Sequence, residues 1–515
     1  MLSDRRPELA RGWVFGLAAA NVALHLGINA ADGYGIFRDE YYYLACASRL
    51  AWGYVDHPPL SIVLLAIERA VLGDSLFAIR VLPAVLAGAA TLLGGLLARE
   101  LRGGAVAQVL AALLLFAVPG YLGAFGYYSM NAIDVVVWAL ALLLVARLAG
   151  GADPRSWLLL GAVLGLGLLN KIGVLWLGAG IFAGVVLTPL RRQLARPWPW
   201  LGALIAGLIA LPYLRWQIAH GWPTAEFMRN AAAEKNVRFE PAAFLAQVAL
   251  EMNPALAPFW LAGLAALLLG RRLRPQRWAG WCWLTVLAIL LASGSAKPYY
   301  ANASFPLLLA AGAVAVERLG SRGRAWRWVV PLALTHSSIA LLVVLPFALP
   351  VLPPARFVAY SRALGVVPRQ QERSALGALP QFFADRFGWR ELAQEVARVH
   401  HALPEAERRE AVIYTTNYGR AAALEYYARE FDLPPVICGH NSYWSWGPGE
   451  ASGRIVLVVD DEPEESLLQD FAEVATAGGR RCTWCMPFES DVPIRVCRGH
   501  RAPIRDVWPQ VRRFI

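Results

Sequence analysis

The sequence has 515 residues, of which 57% are hydrophobic and 17% charged, and it carries a formal net charge of +11. Soluble globular chains average roughly 45–50% apolar and about 25% charged residues. This composition excludes an ordinary soluble domain. It also argues against a nucleic-acid-binding protein, because the arginines are dispersed at the ends of apolar segments and are not gathered into one basic patch.

Eleven apolar runs account for the excess of hydrophobic residues, and they are the predicted membrane-spanning helices. Most have about 17–24 residues, which is long enough to cross a hydrocarbon core of roughly 30 Å. No small-residue cleavage site follows the first run, so we expect a retained helix there and not a signal peptide. The runs cover residues 12–31, 75–98, 105–123, 132–148, 156–170, 172–188, 200–218, 255–270, 278–295, 301–317 and 327–349.

The loops between the runs alternate in charge, and every second loop is rich in arginine. By the positive-inside rule, the arginine-rich loops and the N-terminus lie in the cytoplasm. The first outer loop and the C-terminal segment then face outward, as expected of a multi-pass protein of the plasma membrane, which is the inner membrane of a bacterium. The arginines behind this argument are Arg5, Arg6, Arg11, Arg99, Arg102, Arg147, Arg155, Arg191, Arg192, Arg196, Arg271, Arg272, Arg274, Arg277, Arg318, Arg322, Arg324 and Arg327.

The chain becomes more polar near residue 352, where prolines close the last run. The segment "EAVIYTTNYG" followed by "RAAALEYYARE" has the pattern of strand, loop and helix, and "GRIVLVVDDE" has that of a buried strand. The predicted fold class is an all-α polytopic membrane protein with about 11 transmembrane helices and a small C-terminal extracytoplasmic α/β domain. The expected domains are residues 1–351 and 352–515.

The first outer loop, "FRDEYYYLACASRLAWGYVDHPPL", brings three carboxylates next to the bilayer, those of Asp39, Glu40 and Asp56. Asp39 has the residue type of a helix N-cap and Asp56 that of a turn, which are the ordinary structural explanations. Neither explains the cluster, because like charges held close together are costly unless a cation or a substrate proton offsets the repulsion. The loop is therefore a candidate active site.

This loop resembles the first outer loop of GT-C membrane glycosyltransferases, in particular families 39 and 83. These families include protein O-mannosyltransferases, lipid A aminoarabinose transferases and bacterial galacturonosyl transferases. The resemblance covers most of the chain and extends to "LGLLNKIGVL", "HGWPTAEFMRN", "SAKPYYANASFPLLLAAGAVAVE" and "GHNSYWSWG". It implies the GT-C fold and transfer of a sugar from a polyprenyl phosphate to an acceptor hydroxyl, on the outer face and with inversion.

The resemblance also implies roles within the loop. Asp39 becomes the general base that takes the acceptor's proton, with Glu40 beside it. "VDHPPL" matches a family pattern of an acidic residue, a basic residue and two prolines, so Asp56 is expected to support a divalent metal ion or the base. His57 is expected to meet the donor phosphate, at a position where aminoarabinose transferases carry lysine.

A phosphate leaving group requires cations or hydrogen-bond donors in a dry place near the membrane. The candidates on the outer side are Lys171, Arg238 and Lys297, together with the phenols of Tyr299 and Tyr300. Each cation has the alternative explanation that it snorkels from a helix end to the membrane surface. Their shared location on the outer side favours binding of the donor phosphate.

Four further residues are secondary candidates. Asn131 and Asp134 begin the fourth run at its outer edge, where an acidic residue is also explained by the helix dipole. Trp222 and Glu226 lie in the long outer loop and are expected to line the path of the acceptor.

Three cysteines of the C-terminal segment lie close together in sequence, at Cys482, Cys485 and Cys497. Outside the cytoplasm a disulfide is the favoured interpretation, and the sequence leaves its pairing open. A zinc site is the weaker alternative, because the other possible ligands, His440 and His500, are scattered along the segment.

The predicted function is that of an inverting glycosyltransferase with a polyprenyl-phosphate sugar as its donor. The expected acceptor is a glycolipid or envelope glycan resembling the lipid A or core of lipopolysaccharide, and serine or threonine of secreted proteins is the alternative. A flippase of lipid-linked sugars is disfavoured, because transporters place ionisable groups near the bilayer midplane and often have repeated halves, which this sequence lacks. The expected partners are therefore the donor, the acceptor and the lipid bilayer.

Overall fold

The computed structural model of the protein describes residues 6–31, 34–368, 370 and 372–515, and Arg5 lies outside them. Its internal contacts divide the chain into two compact units. The first comprises residues 1–33, 72–215 and 238–351, and the second comprises residues 34–71, 216–237 and 352–515. The predicted domains, 1–351 and 352–515, stay a prediction, and the second unit takes in two segments that precede residue 352.

The first unit is built of α-helices, and every apolar run predicted from the sequence contains one. A helix satisfies its backbone hydrogen bonds within the segment, which a hydrocarbon environment requires. The helices lying wholly or mostly in this unit are Arg11–Ala30, Leu76–Ile79, Val81–Glu100, Ala105–Phe116, Pro119–Phe125, Met130–Ala149, Ser156–Asn170, Val174–Val186, Pro197–Ala219, Pro241–Glu251, Ala257–Leu269, Arg277–Ala292, Pro306–Gly320 and Val329–Ala348.

Among the described residues, five helices are long and apolar enough to cross a membrane, or up to nine if each bent pair counts as one span. Prolines account for part of the difference from the eleven predicted runs, since the second member of every bent pair begins with proline. Proline lacks a backbone N–H and disfavours helical geometry in the preceding residue. The bent pairs are Ala105–Phe116 with Pro119–Phe125, Val174–Val186 with Pro189–Ala195, Pro241–Glu251 with Pro254–Leu269, and Pro298–Ser304 with Pro306–Gly320.

Glycines let the helices Ala257–Leu269 and Pro306–Gly320 cross with their backbones in contact. A Cβ placed on Gly263 would lie 1.9 Å from the carbonyl oxygen of Leu308, and one on Gly312 would lie 2.0 Å from a carbonyl oxygen of the facing helix. Close packing of small residues holds helices together in a bilayer, where apolar burial gives little drive for association. This crossing is therefore one source of the unit's stability.

The second unit contains a small α/β domain with a five-stranded sheet. Its strands are β1 (Ala411–Thr415), β2 (Val436–Cys438), β3 (Ile455–Val459), β4 (Phe471–Arg481) and β5 (Asp491–His500). Their order in the sheet is β2-β1-β3-β5-β4. Strand β1 runs parallel to β2 and β3, whereas β5 runs antiparallel to β3 and β4.

The helices of the second unit cover the sheet on both faces, so that all five residues of β3 are buried. One face packs against Leu392 and Val396 of one helix and Leu424 of another. The other face packs against Ile504 and Trp508. The α-helices here are Arg38–Ala47, Leu60–Leu72, Pro223–Asn230, Pro354–Ala363, Gln381–Ala384, Trp389–His401, Glu405–Glu410, Tyr418–Phe431, Ser442–Trp446, Glu464–Asp470 and Ile504–Val507.

The predicted fold class is confirmed by this architecture of apolar helices with a small C-terminal sheet domain. The strands predicted in "EAVIYTTNYG" and "GRIVLVVDDE" are β1 and β3, and the predicted helix after β1 is Tyr418–Phe431. Parallel strands that are covered on both faces carry nearly continuous apolar sequence, often of β-branched residues. This is why β1 and β3 were recognisable in the sequence.

Gly263→Ala is expected to destabilise the first unit, because its methyl group would meet the backbone of the facing helix. Overpacking of this kind costs about 1–3 kcal/mol. Thermal unfolding of the purified protein in detergent measures the effect. Gly207→Ala is the matched control, because among the described residues a Cβ at that position meets no atom within 4 Å other than its chain neighbours and the nearby backbone of its own helix. Equal melting temperatures for Gly263→Ala and the wild type would contradict the helix crossing.

Candidate active site

Asp39 and Glu40 lie in the first turn of the helix Arg38–Ala47, and the structure gives them different roles. The carboxylate of Glu40 accepts a hydrogen bond of 2.8 Å from the backbone N–H of Phe37, which is the N-cap, and Glu40 is fully buried. Asp39 is therefore not the N-cap, and 37% of its side chain is exposed. Of the two neighbours, Asp39 is the carboxylate that a substrate can reach.

Two neighbours from the same unit contact the carboxylate of Asp39. The hydroxyl of Tyr418 donates a hydrogen bond of 2.8 Å to Asp39 Oδ1. The guanidinium of Arg38 lies 3.5 Å from the same oxygen, and its Nη1 lies 3.3 Å from Asp385 Oδ2. Asp39 Oδ1 is thus held by a phenol and by an arginine that also contacts a second carboxylate.

Burial governs the ionisation of these neighbours. It raises the pKa of Asp385 to about 7, against the opposing effect of the Arg38 charge. Burial alone would lower the pKa of Arg38, but the carboxylates of Asp385 and Asp39 hold it well above its ordinary value. The guanidinium therefore stays charged while Asp385 titrates near neutral pH.

Asp56 and His57 follow this helix in the same unit. Asp56 Oδ1 accepts a hydrogen bond of 3.0 Å from the hydroxyl of Tyr42 and lies 3.9 Å from His57 Nε2. The imidazole of His57 is only 1% exposed and lies 4.9 Å, ring centre to ring centre, from both Tyr43 and Tyr54. A donor phosphate can reach His57 only if these rings move.

The predicted metal ion finds no set of ligands around Asp56. Within the described part of the chain, no three histidine, cysteine, aspartate or glutamate residues are placed to hold a metal ion. The Asp56 carboxylate is already engaged by the hydroxyl of Tyr42. These donors do not fit a protein-held divalent ion, and metal dependence stays a prediction.

A second cluster of predicted residues lies in the first unit, around the ammonium group of Lys171. Lys171 Nζ donates a hydrogen bond of 2.9 Å to Asn131 Oδ1 and lies 3.4 Å from Asp134 Oδ2. The rings of Tyr299 and Tyr300 lie 5.4 and 5.3 Å from Nζ, which is within cation–π range. Five residues predicted from separate segments thus meet at one place.

The ends of two helices create this cluster. Lys171 directly follows the helix Ser156–Asn170, and the Asn170 side chain donates a hydrogen bond to the carbonyl of Met130 at the start of the helix Met130–Ala149. The side chains of Lys171 and Asp134 are less than a tenth exposed. Snorkelling to water is therefore the wrong explanation for Lys171. The dipole explanation for Asp134 is also wrong, because the first helical turn contains no acidic residue.

The remaining candidates are Arg238, Lys297, Trp222 and Glu226. Arg238 is exposed, and Lys297 is partly buried at the start of the 3-10 helix Pro298–Ser304. In the second unit, Trp222 has a left-handed backbone with φ of 60° and caps the helix Pro223–Asn230. Glu226 of that helix forms an ion pair with Arg512. The proposed contacts of these residues with donor or acceptor stay predictions.

The C-terminal cysteines form one disulfide, between Cys482 and Cys485. Cys497, the third cysteine of the predicted group, is a buried free thiol in β5, as is Cys438 in β2. The favoured interpretation, a disulfide, therefore agrees with the structure, which pairs the two cysteines nearest in sequence.

Sequence reasoning missed four residues that shape this site: Arg38, Tyr42, Asp385 and Tyr418. Tyr418 stands three residues after the end of β1 in "YTTNYG", a segment already predicted as strand and loop. Side chains that follow a strand at the carboxyl edge of a parallel sheet are the usual places for ligand binding, and this was the available signal.

Comparisons with known proteins agree with this architecture. Residues 56–216 match the family model described as dolichyl-phosphate-mannose-protein mannosyltransferase. The fold is similar to that of ArnT from Cupriavidus metallidurans in the apo state, with a TM-score of 0.61 and 15% identity over 95% of this chain and 98% of that one. The structure of ArnT bound to undecaprenyl phosphate gives the same TM-score and identity, over 94% of this chain and 98% of that one.

A third structure is similar at a lower level. It is the arabinofuranosyltransferase AftD from Mycobacteria, with a TM-score of 0.50 and 16% identity over 98% of this chain and 41% of that one. A comparison with curated protein sequences finds no match. At these identities the solved structures show the fold alone.

The chain therefore has the GT-C fold found in membrane glycosyltransferases, and part of it matches a mannosyltransferase family model. The GT-C fold and the resemblance to its transferases, both predicted from the sequence, are confirmed. The multi-pass membrane character is also confirmed, by the apolar helices and by the fold.

Because burial raises the pKa of Asp385 to about 7, the stability of the protein is expected to fall as the pH rises. Between the ordinary value of 3.8 and about 7, the folded chain keeps a proton that the unfolded chain has released. The contribution is complete below the lower value and is lost as the pH rises through the upper one.

Melting temperatures of the wild type and of Asp385→Asn, measured in detergent from about pH 5 to about pH 8, test this dependence. The variant is expected to lose less stability than the wild type across that range, because it has no carboxyl group to ionise at this position. A constant difference between the two proteins at every pH would contradict the raised pKa.

Proposed function

We propose that the protein is an inverting glycosyltransferase that moves a sugar from a polyprenyl-phosphate donor to a hydroxyl group of a glycolipid or other envelope glycan. The observation that supports this most directly is the carboxylate of Asp39. It is 37% exposed, whereas Arg38, Glu40 and Asp385 around it are buried. A fixed but accessible carboxylate is what a general base for an incoming hydroxyl requires.

The chemistry follows from a single displacement. Asp39 accepts the proton of the acceptor hydroxyl while the hydroxyl oxygen attacks the anomeric carbon of the donor sugar. The bond between that carbon and the phosphate oxygen breaks, and the polyprenyl phosphate leaves with the electron pair. Attack opposite the leaving group inverts the anomeric configuration. Tyr418 and Arg38 keep the carboxylate in one position during this step.

The polyprenyl-phosphate donor is supported by the fold shared with ArnT, one structure of which is bound to undecaprenyl phosphate. Lys171 is the cation to which we assign the donor phosphate. Its ammonium group has three N–H donors. Asn131 Oδ1 lies 2.9 Å from Nζ, and Asp134 Oδ2 lies 3.4 Å from it. A buried ammonium group stabilises a phosphate more strongly than an exposed one does.

The arginine distribution supports an orientation in which Asp39 faces the outside of the cell. The protein is then expected to act at the outer face of the plasma membrane, which is the periplasmic face in a bacterium. The second candidate acceptor is a serine or threonine hydroxyl of a secreted protein. The family model matched over residues 56–216, which is named for protein mannosyltransferases, favours this alternative.

Asp39→Asn is expected to abolish sugar transfer without weakening the binding of undecaprenyl phosphate. Loss of a general base lowers the rate by about 10²–10⁴-fold. The measurement is release of sugar in detergent from a panel of radiolabelled undecaprenyl-phosphate sugars, with total envelope lipid and protein as acceptors. The fraction that becomes labelled, lipid or protein, distinguishes the two acceptor classes.

Asp506→Asn is the matched control, since it removes an exposed carboxylate of the same unit. It is expected to retain wild-type turnover. Wild-type turnover by Asp39→Asn would contradict the assignment of the base. Failure of the wild type to release sugar from any donor would contradict the transferase itself and favour a transporter of lipid-linked sugars.

Lys171→Met is expected to destabilise the protein, because it leaves Asp134 as a buried unpaired charge at a cost of about 3–5 kcal/mol. The double variant Lys171→Met/Asp134→Asn is expected to regain most of this stability without regaining affinity for undecaprenyl phosphate. Melting temperature and binding of radiolabelled undecaprenyl phosphate are the two measurements. Wild-type affinity in the stable double variant would show that Lys171 serves the fold and not the donor.

A further inference from the structure

The carboxyl edge of the C-terminal sheet ends in three polar segments, where β1, β2 and β3 finish side by side in parallel. In open α/β sheets this edge is the usual place for a ligand. Here the segments after β1 and β2 instead contact the acidic loop, which belongs to the same compact unit. Residues at this edge are therefore placed to position the carboxylates of the loop.

Two hydrogen-bonded connections run from this edge to the predicted acidic residues. The first is direct, from the Tyr418 hydroxyl to Asp39, at 2.8 Å. The second has two steps, since the backbone N–H of Ser442 donates to the Tyr42 hydroxyl at 3.2 Å, which in turn donates to Asp56. Asp39 and Asp56 are thus both held through tyrosine hydroxyls that the C-terminal domain contacts.

Tyr418 is itself fixed from several sides. It is the first residue of the helix Tyr418–Phe431, whose N-cap Asn417 accepts a hydrogen bond from the backbone N–H of Gly419. A Cβ on Gly419 would lie 2.3 Å from Arg38 Cγ, so only glycine lets the helix approach Arg38 this closely. The backbone N–H of Tyr418 also donates to His440 Nδ1 at 3.4 Å.

Buried ion pairs of Arg420 hold the first turn of this helix in place. Arg420, two residues after Tyr418, lies 3.1 Å from Asp460 at the end of β3 and 3.0 Å from Glu489, and all three side chains are buried. Burial lowers the pKa of His440 to about 3, so its imidazole stays neutral and accepts from Tyr418 at physiological pH. Burial also raises the pKa of Tyr418 well above its ordinary value, so the hydroxyl remains a donor.

We infer that the C-terminal domain is part of the catalytic machinery and that Tyr418 is a positioning residue for Asp39. This inference rests on the proposed function. In this account, the phenol holds the carboxylate in the orientation in which its free oxygen meets the acceptor hydroxyl, and it makes no contact with the donor.

Tyr418→Phe in the full-length protein in detergent tests the inference. The variant keeps the ring that packs against Tyr42 and His440 and loses only the hydroxyl. Its kcat is expected to fall by about tenfold or more, because a hydrogen bond to a charged group is lost. The KM for the donor and the affinity for undecaprenyl phosphate are expected to stay within about twofold, whereas a general disturbance of the fold would change all three.

Tyr34→Phe is the matched control. Tyr34 is a buried tyrosine of the same compact unit that lies outside the C-terminal domain, and its hydroxyl donates a hydrogen bond of 2.6 Å to the backbone carbonyl of Leu352. The control is expected to lose similar stability and to keep its kcat. An unchanged kcat in Tyr418→Phe, or an equal fall in Tyr34→Phe, would overturn the inference.

A thermal double-mutant cycle decides the contact independently of turnover. Tyr418→Phe, Asp39→Ala and the double variant are compared with the wild type in detergent. If the two side chains interact as the structure shows, the double variant loses less stability than the sum of the single losses. Additive losses of stability would overturn the contact between Tyr418 and Asp39. If the losses are not additive but the wild type shows no turnover, the contact stands and only the proposed function is overturned.

Discussion

The short hydrogen-bonded series of Tyr418, Asp39, Arg38 and Asp385 is the interaction on which the account depends. One buried guanidinium lies between two carboxylates, and a phenol completes the environment of the exposed one. Charges of this kind are tolerated away from water only when each has a partner. The arrangement therefore fixes the position of Asp39, and it joins residues from the beginning and the end of the chain in one compact unit.

Buried charges in the first unit also need partners, and leaving them without one is costlier in a membrane than in a soluble domain. Lys171 and Asp134 are buried among apolar helices, where ionisable residues are costly and usually functional. Their pairing removes much of that cost, and Tyr299 and Tyr300 add the faces of two aromatic rings. Such a pair serves the fold by itself, so its role toward a phosphate is a separate matter that stability and binding measurements resolve.

The sequence predicted the elements better than it predicted their interactions. The apolar runs, β1 and β3 followed from hydrophobic pattern, and Asp39 and Lys171 stood out because charges beside a bilayer require an explanation. Two of the predicted runs, 105–123 and 301–317, were predicted as continuous although each crosses the break of a bent pair, because hydropathy averages over the prolines at the break. The partner of Asp39 was missed because Tyr418 is 379 residues away in sequence, and local patterns carry no information about such a contact.

The most direct test of a transferase is the fate of the sugar. Membrane vesicles containing the wild-type protein are given radiolabelled undecaprenyl-phosphate sugar and total envelope lipid, and the labelled product is isolated for NMR analysis of its anomeric configuration. The account predicts that the label leaves the polyprenyl phosphate and enters an acceptor with the anomeric configuration inverted. Label that crosses the vesicle membrane while still attached to undecaprenyl phosphate would contradict the account, as would a product with retained configuration.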